Sequence, residues 1–476
     1  MNIYLTGHNE TYAVRDILRL FLPDEPIEFA AAPPEGGDYA LVSHTETDGR
    51  HVFSASVSYQ GRMGVCRESQ SAFDKTCLKR CLLRAFMQIF PVTPPWGALT
   101  GIRPTKIARA LLEAGHTKGS AEKLLKSQYL LNDKKAALTV QTAMRERDVI
   151  SGRYKNAVSL YIGIPFCPTR CLYCSFISQS IEFSKQLVEP YLLALAYEME
   201  QSAKLLSKLG YLVETVYIGG GTPTALSAPQ LDFLLNTLKT AFDLSAIREF
   251  SVEAGRPDTI TSEKLDVLKR HGVDRISINP QTMNEKTLRL IGRSHTPDDV
   301  ANAYLLARKK GFSHINMDLI SGLPGETAED FLHTLNRTAA FFPESVTVHA
   351  LCVKHGSYLA QKYPRQDITA NQAANTMMDL AVSHLAAQNL HPYYLYRQKN
   401  AAGNLENIGF CKIGHECRYN VYIMQEVQSV LALGAGGSSK RVAGQRIDRA
   451  FNVKEVSAYI ERIKEMVNRK ETLFMG

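Results

Sequence analysis

The chain has 476 residues, more than one compact core usually holds, so two or three domains are expected. Hydrophobic residues at 45% and charged residues at 21% are globular values, and no apolar run approaches the roughly 18 residues of a membrane span, which leaves a multidomain soluble enzyme as the expectation. The net charge of +8 is spread along the chain without a long Lys/Arg block or interleaved aromatics, so it favours anionic ligands mildly and no nucleic-acid partner is expected.

The opening MNIYLTGHNETYAVRDILRLFLP reads as a short strand and an amphipathic helix, not a basic stretch ahead of an apolar one, so no secretion signal is expected. Nine cysteines in such a chain point to a reducing, cytoplasmic compartment, where thiols serve as ligands, nucleophiles or small core residues. Residues 1–151 are expected to form an α+β and helical region. Alternating segments lie at 39–42 and from Val52, and a helix from Ser71 puts Phe73, Cys77, Cys81, Leu82 and Phe86 on one core face. Pro91, Pro94 and Pro95 break it ahead of a loop from Trp96 that leads into another helix. Nothing in this region carries a catalytic signature.

Over residues 152–368 the texture becomes strand, helix, strand. Short apolar or β-branched runs begin at Ser159, Glu214, Glu249, Arg275, Ile315 and Ser345, with helical patterns from Glu189, Pro229, Thr261, Thr296 and Thr327. Such a series predicts a parallel sheet with right-handed crossovers, open or closed as a barrel. Reactive groups then belong at the carboxyl ends of the strands, where the sequence places the cysteine triplet, residues 219–222, Glu253, Asn279, Gln281, Asp318 and His349. Residues 369–476 read as a helix from about Gln372, aromatic and Gly-rich loops, and a last helix near 456–467.

Cys167, Cys171 and Cys174 have the spacing C-x3-C-x2-C on one tight loop. Three thiolates can hold three irons of a cubane cluster and leave the fourth open to an exogenous ligand, as a catalytic metal site requires. Zinc is the chemical competitor, but structural zinc wants a closed shell of four ligands and no fourth Cys or His follows in the loop. Cys411 and Cys417 flank His415 at C-x5-C, not a usual metal spacing, and are read as packing residues, as are Cys66 and Cys352.

The triplet and its setting resemble the radical S-adenosylmethionine (SAM) enzymes, whose fold is a partial (β/α)6 barrel with the cysteines after the first strand. More narrowly, YIGIPFCPTRCLYCSF from Tyr161, GGGTPT from Gly219, ISGLPGE from Ile320 and GHECRYN from Gly414 resemble the oxygen-independent coproporphyrinogen III oxidase (dehydrogenase) family. WGALTGIRPTK from Trp96 and the long N-terminal region resemble its HemZ-like branch, with 369–476 as the family's C-terminal α+β region.

The resemblance implies a [4Fe–4S] cluster on Cys167, Cys171 and Cys174, and SAM chelating the open iron and cleaved to a 5′-deoxyadenosyl radical. It implies SAM contacts from Gly220, Gly221 and Thr222 at the methionine end, from Glu253 at a ribose, and from Gln281, Arg293 and Asp318. Tyr161 and Tyr173 would cover the cluster loop or the ligand, or else be plain core aromatics; Glu253 could instead pair with Arg256 or Arg275. The implied reaction is oxidative decarboxylation of coproporphyrinogen III propionates to vinyl groups, giving protoporphyrinogen IX, with flavodoxin or ferredoxin as electron donor and no acceptor indicated. Two departures stand out: Phe176 replaces a further Cys of the family's dehydrogenases, as it also does in the heme-trafficking branch, and Gly163 replaces a His. A heme chaperone on the same barrel and a heme-modifying radical SAM methyltransferase are the alternatives.

Overall fold

The computed structural model describes residues 1–31, 36–174, 178–353, 357–362, 372–398 and 405–476; Phe176 lies outside them. The chain divides into two compact units, Met1–Met144 and Arg145–Gly476.

In the first unit, strands β1 (Asn2–Thr6), β2 (Glu28–Ala30), β3 (Tyr39–Thr47), β4 (Arg50–Tyr59) and β5 (Arg62–Gln70) form a sheet in the order β2-β1-β3-β4-β5. Helix α1 (Thr11–Phe21) and helix α2 (Lys75–Ile89) supply apolar stripes to the same core as Ile3, Val42 and Phe53. Cys77 and Cys81 are buried there, and the Cys81 thiol donates to the Cys66 carbonyl at 3.2 Å. Phe73 departs from its expected place on the helix. Asp74 is the N-cap, accepting from the Thr76 amide at 2.8 Å, so α2 starts after Phe73, whose ring stands edge-on to His44. Helices α3 (Pro104–Glu113), α4 (Lys118–Tyr129) and α5 (Asp133–Ser151) follow.

The second unit carries the six expected parallel strands: β6 (Ala157–Ile164), β9 (Leu212–Gly220), β10 (Glu249–Glu253), β11 (Arg275–Ser277), β12 (His314–Ser321) and β13 (Ser345–Ala350). Each pairs in parallel with the next. A small pair, β7 (Phe166–Cys167) and β8 (Gln179–Ser180), brackets the cysteine loop. Crossovers run through α6 (Lys185–Lys208), α7 (Ala228–Ala241), α8 (Ser262–Arg270), α9 (Glu285–Leu290), α10 (Pro297–Lys309) and α11 (Ala328–Ala339). Ser227, Thr296 and Thr327 start α7, α10 and α11 with reciprocal capping boxes, which is why those boundaries are sharp.

The C-terminal stretch read as loops is largely strand. After α12 (Tyr358–Lys362) and α13 (Gln372–Ala387) come β14 (His391–Arg397), β15 (Glu406–Cys411), α14 (Arg418–Gln425), β16 (Ser429–Leu433), β17 (Ser438–Ala443) and β18 (Arg446–Phe451). The chain ends in α15 (Val456–Glu461) and α16 (Ile463–Met475). The whole sheet runs β14-β15-β13-β12-β11-β10-β9-β6-β16-β17-β18, so the six-stranded core is extended on both flanks and not closed on itself. No helix among the described residues is long and apolar enough to cross a membrane.

Strand alternation sorts the core strands into two faces. Leu160, Ile162, Val216, Ile218, Phe250, Val252, Ile276 and Met317 pack outward in the main hydrophobic cluster with the helices. The residues between them, Ser159, Tyr217, Ser251, Ser277, Asn316 and Thr347 among others, are polar. One buried ion pair fastens the C-terminal elements to α6: Glu198 accepts from Lys470, from the Gly434 amide at 2.7 Å, from Asn452 at 2.8 Å and from the Tyr459 hydroxyl at 2.7 Å. Removing one partner of such a pair leaves a buried charge uncompensated, so Lys470→Met is expected to destabilise the protein by about 3–5 kcal/mol in chemical denaturation. Adding Glu198→Gln to that variant is expected to recover part of the loss.

Candidate functional site

A cavity of about 340 Å³ lies among the side chains at the carboxyl ends of the core strands. Cys167, Cys171 and Cys174 all line it. Their loop is held by backbone hydrogen bonds: the Ile181 amide donates to the Cys167 carbonyl at 2.9 Å, Leu172 to Ile291 at 2.9 Å and Cys174 to Cys171 at 3.1 Å. The Thr222 hydroxyl donates to Cys167 Sγ at 3.4 Å and Arg256 Nη1 to Cys171 Sγ at 3.7 Å. Burial pushes the Cys167 thiol up, with the hydrogen bonds from Thr222 and Ser178 opposing it. Among the described residues no three His, Cys, Asp or Glu side chains are drawn together as a ready metal site.

The glycine turn after β9 is required by close packing. Gly220 has φ +106°, and a Cβ on Gly221 would lie 2.6 Å from the Phe166 carbonyl oxygen and 3.0 Å from Cys167 Sγ. The Gly221 and Thr222 amides donate to the carbonyls of Ile164 and Phe166, each at 2.8 Å, so this turn is tied directly to the cysteine loop.

Glu253 ends β10 inside the cavity and takes a 2.5 Å hydrogen bond from the Tyr217 hydroxyl. Its alternative partners are engaged elsewhere. Arg256 grips Asp258 in a bidentate pair at 2.9 and 3.0 Å, and Arg275 donates to His314 Nε2 at 2.8 Å and to the His415 carbonyl at 3.4 Å. Burial raises the Glu253 carboxyl to about 7, with Tyr217 opposing and the Asp318 charge adding. Tyr161 does not line the cavity; it packs behind Tyr217, ring centroids 6.3 Å apart, with Tyr419 stacked on Tyr217 at 4.6 Å.

Gln281, Arg293, Asp318 and Tyr173 do line it. Gln281 is a non-glycine residue at φ +68°, held by its amide to the Asp318 carbonyl and its carbonyl to the Ile320 amide, both at 2.9 Å. Its buried Oε1 has no hydrogen-bond partner among the described residues. Arg293 donates to the Gly255 carbonyl at 3.0 Å and to the Tyr173 hydroxyl at 3.1 Å, while its buried Nε has no partner among the described residues. Asp318 accepts from Asn316 at 2.7 Å. Strained backbone and unpaired buried polar atoms gathered in one cavity are what a ligand site looks like before its ligand is bound.

The description "Radical SAM superfamily" matches residues 161–338. The chain is 42% identical over 384 residues to the oxygen-independent coproporphyrinogen-III oxidase-like protein HemZ of Bacillus subtilis, a match covering 80% of this chain and 77% of that one. The chain belongs to this radical SAM family. It is also 35% identical over 314 residues to the heme chaperone HemW of Bacillus subtilis, covering 64% of this chain and 76% of that one. Among solved structures, the radical SAM enzyme HemN, coproporphyrinogen III oxidase of Escherichia coli, is 26% identical with a TM-score of 0.55, covering 68% of this chain and 73% of that one.

Radical SAM proteins use a [4Fe–4S] cluster and SAM. The donor set lining the cavity suits both: three thiols on one loop for the cluster and, for SAM, a carboxylate, an amide oxygen and a guanidinium, the Oε1 and Nε of the last two having no hydrogen-bond partner among the described residues. Several contributors escaped sequence reading. Tyr217 sits in what looks like an apolar run, and only its place two residues before Gly219 on the inward face could have flagged it. Arg256, which the sequence suggests only as a partner for Glu253, and Cys352, which it suggests as a packing residue, both line the cavity. Cys411 and Cys417 are buried, the latter donating to Glu249 at 3.1 Å.

The Tyr217 hydrogen bond holds the Glu253 carboxyl down, so Tyr217→Phe is expected to move that group's titration above about 7. Infrared titration of the buried carboxyl band, assigned with Glu253→Gln, checks this; a shift toward the ordinary carboxylate range would be the contrary result.

Proposed function

We propose that this protein is an oxidoreductase that converts propionate side chains of coproporphyrinogen III to vinyl groups, yielding protoporphyrinogen IX, in the cytoplasm. The observation that supports it most is the meeting, in one strand-end cavity of a chain 42% identical to HemZ, of the cysteine triplet with Glu253, Gln281, Arg293 and Asp318. In this reading Cys167, Cys171 and Cys174 hold the cluster, and Arg256 and Thr222 steady two of the thiolates by donating to sulfur. Gly220, Gly221 and Thr222 border the methionine end of SAM. Glu253, ionised, accepts from a ribose hydroxyl, and Gln281, Arg293 and Asp318 orient the remainder. Tyr173 stands beside Arg293 on the cavity wall, and Tyr161 backs Tyr217, which aims Glu253.

When bound, cluster and SAM together supply a one-electron cleavage that yields a hydrogen-abstracting radical. Each propionate then loses one β-hydrogen atom, carbon dioxide and one electron, so an external donor such as flavodoxin or ferredoxin and a separate acceptor are both needed. The second reading, a heme chaperone, is favoured by the 35% identity to HemW and by Phe176.

Anaerobic reconstitution with iron, sulfide, reductant and SAM tests the two. The oxidoreductase is expected to convert coproporphyrinogen III through a mono-vinyl intermediate, releasing one 5′-deoxyadenosine for each carbon dioxide. Cys171→Ala should lose both cluster absorbance and SAM cleavage, because a three-thiolate site has no spare ligand, whereas Cys411→Ala should keep both. Heme retained through gel filtration with no carbon dioxide released would replace this reading with the chaperone.

A further inference from the structure

The cavity extends to the β13–β15 side, at the far end of the parallel strand order from β6, where none of the residues assigned above lies except Asp318 on the neighbouring strand. Asn407, the second residue of β15, lines the cavity there with 1% of its surface exposed. Its Oδ1 lies 3.3 Å from His349 Nδ1, which makes that ring nitrogen the donor and turns the amide nitrogen the other way. Asn407 Nδ2 is buried and has no hydrogen-bond partner among the described residues. A buried N–H donor without an acceptor is costly, and few survive in a native structure without a use.

The surroundings specify what would satisfy it. His349 also lines the cavity, with Nε2 4.0 Å from Asp318 Oδ2, so the imidazole stands between that carboxylate and the amide. Asp318 is already served by Asn316 at 2.7 Å. Beside them Tyr394 and Tyr396 line the cavity with near-parallel rings, 8° apart in plane, an apolar wall for a flat or aliphatic group. An acceptor-only anion on a short apolar stem fits donor and wall together, and a propionate is such a group.

We propose that Asn407 Nδ2, oriented by His349, donates a hydrogen bond to one propionate carboxylate of the tetrapyrrole and so fixes its position on the β13–β15 side of the cavity; this rests on the oxidoreductase reading above. His349 is here a positioning residue.

The test is fluorescence titration of the cluster-reconstituted, SAM-bound protein with coproporphyrin III, the stable oxidised form of the substrate. Asn407→Leu removes the donor at similar volume, and Asn407→Asp removes it and adds a repelling charge. Both are expected to weaken porphyrin binding about tenfold, the Asp variant more, with cluster content and SAM affinity unchanged. His349→Leu, at a less buried position, is expected to weaken it severalfold and serves if the Asn407 variants fail to take up the cluster. Unchanged porphyrin affinity in variants that keep cluster and SAM would overturn the proposal, and so would a loss of SAM affinity instead, which would assign the donor to the carboxylate of SAM. Failure of the unmodified protein to bind coproporphyrin III would overturn the substrate reading itself, a result distinguishable because it needs no variant.

Discussion

The inward faces of β6 and β9 to β13 are polar on every strand, and burying those groups is the constraint to which the rest of the second unit responds. A buried hydroxyl, amide or carboxylate is tolerable only when paired, because its desolvation is otherwise uncompensated. At the amino ends of the strands the C-terminal region supplies the partners. Ser159 donates to Gln428 at 2.6 Å, Gln428 donates to Glu214 at 2.6 Å, and Tyr422 donates to Glu214 at 3.0 Å. Glu249 collects the Cys417 thiol and the Arg418 and Tyr419 amides at the start of α14, where a carboxylate also meets the positive end of the helix dipole. Residues 417–419 of the GHECRYN segment thus work as a plug for this end.

At the carboxyl ends no such plug is built among the described residues, and there Gln281 Oε1, Arg293 Nε and Asn407 Nδ2 stay unpaired in the cavity wall. The same exclusion of water that makes unpaired groups costly lifts Glu253 to about 7, within reach of ordinary cellular pH. A ligand bringing hydroxyls, an ammonium and carboxylates would relieve several of these costs at once, which links the stability of this end of the sheet to ligand binding.

The βα order and the strand-end placement of the cavity residues were legible because period-2 and period-3.6 patterns are local signals. The C-terminal strands were not. β15 contains Gly409, whose missing side chain makes room for the Tyr394 ring, and the β14–β15 pairing is irregular between Pro392 and Tyr394, so both read as loop. Pairing between β13 and β15 joins segments far apart in sequence, which is also why Asn407 and His349 could not be matched in advance. Likewise Tyr217 as the partner of Glu253 is a cross-strand contact that no spacing encodes, and Arg256 and Arg275, equally plausible from sequence, are claimed by Asp258 and His314.

SAM is proposed to bind in the strand-end cavity, with ionised Glu253 as an acceptor. The most direct measurement is the SAM dissociation constant of the reconstituted protein as a function of pH. Affinity is predicted to rise as pH passes through about 7, because the neutral carboxyl that burial favours is the weaker acceptor, and in Glu253→Gln to be roughly tenfold lower on the alkaline side with that pH dependence gone. A wild-type affinity independent of pH across this range, or a Glu253→Gln variant that binds SAM as tightly as the wild type, would contradict it.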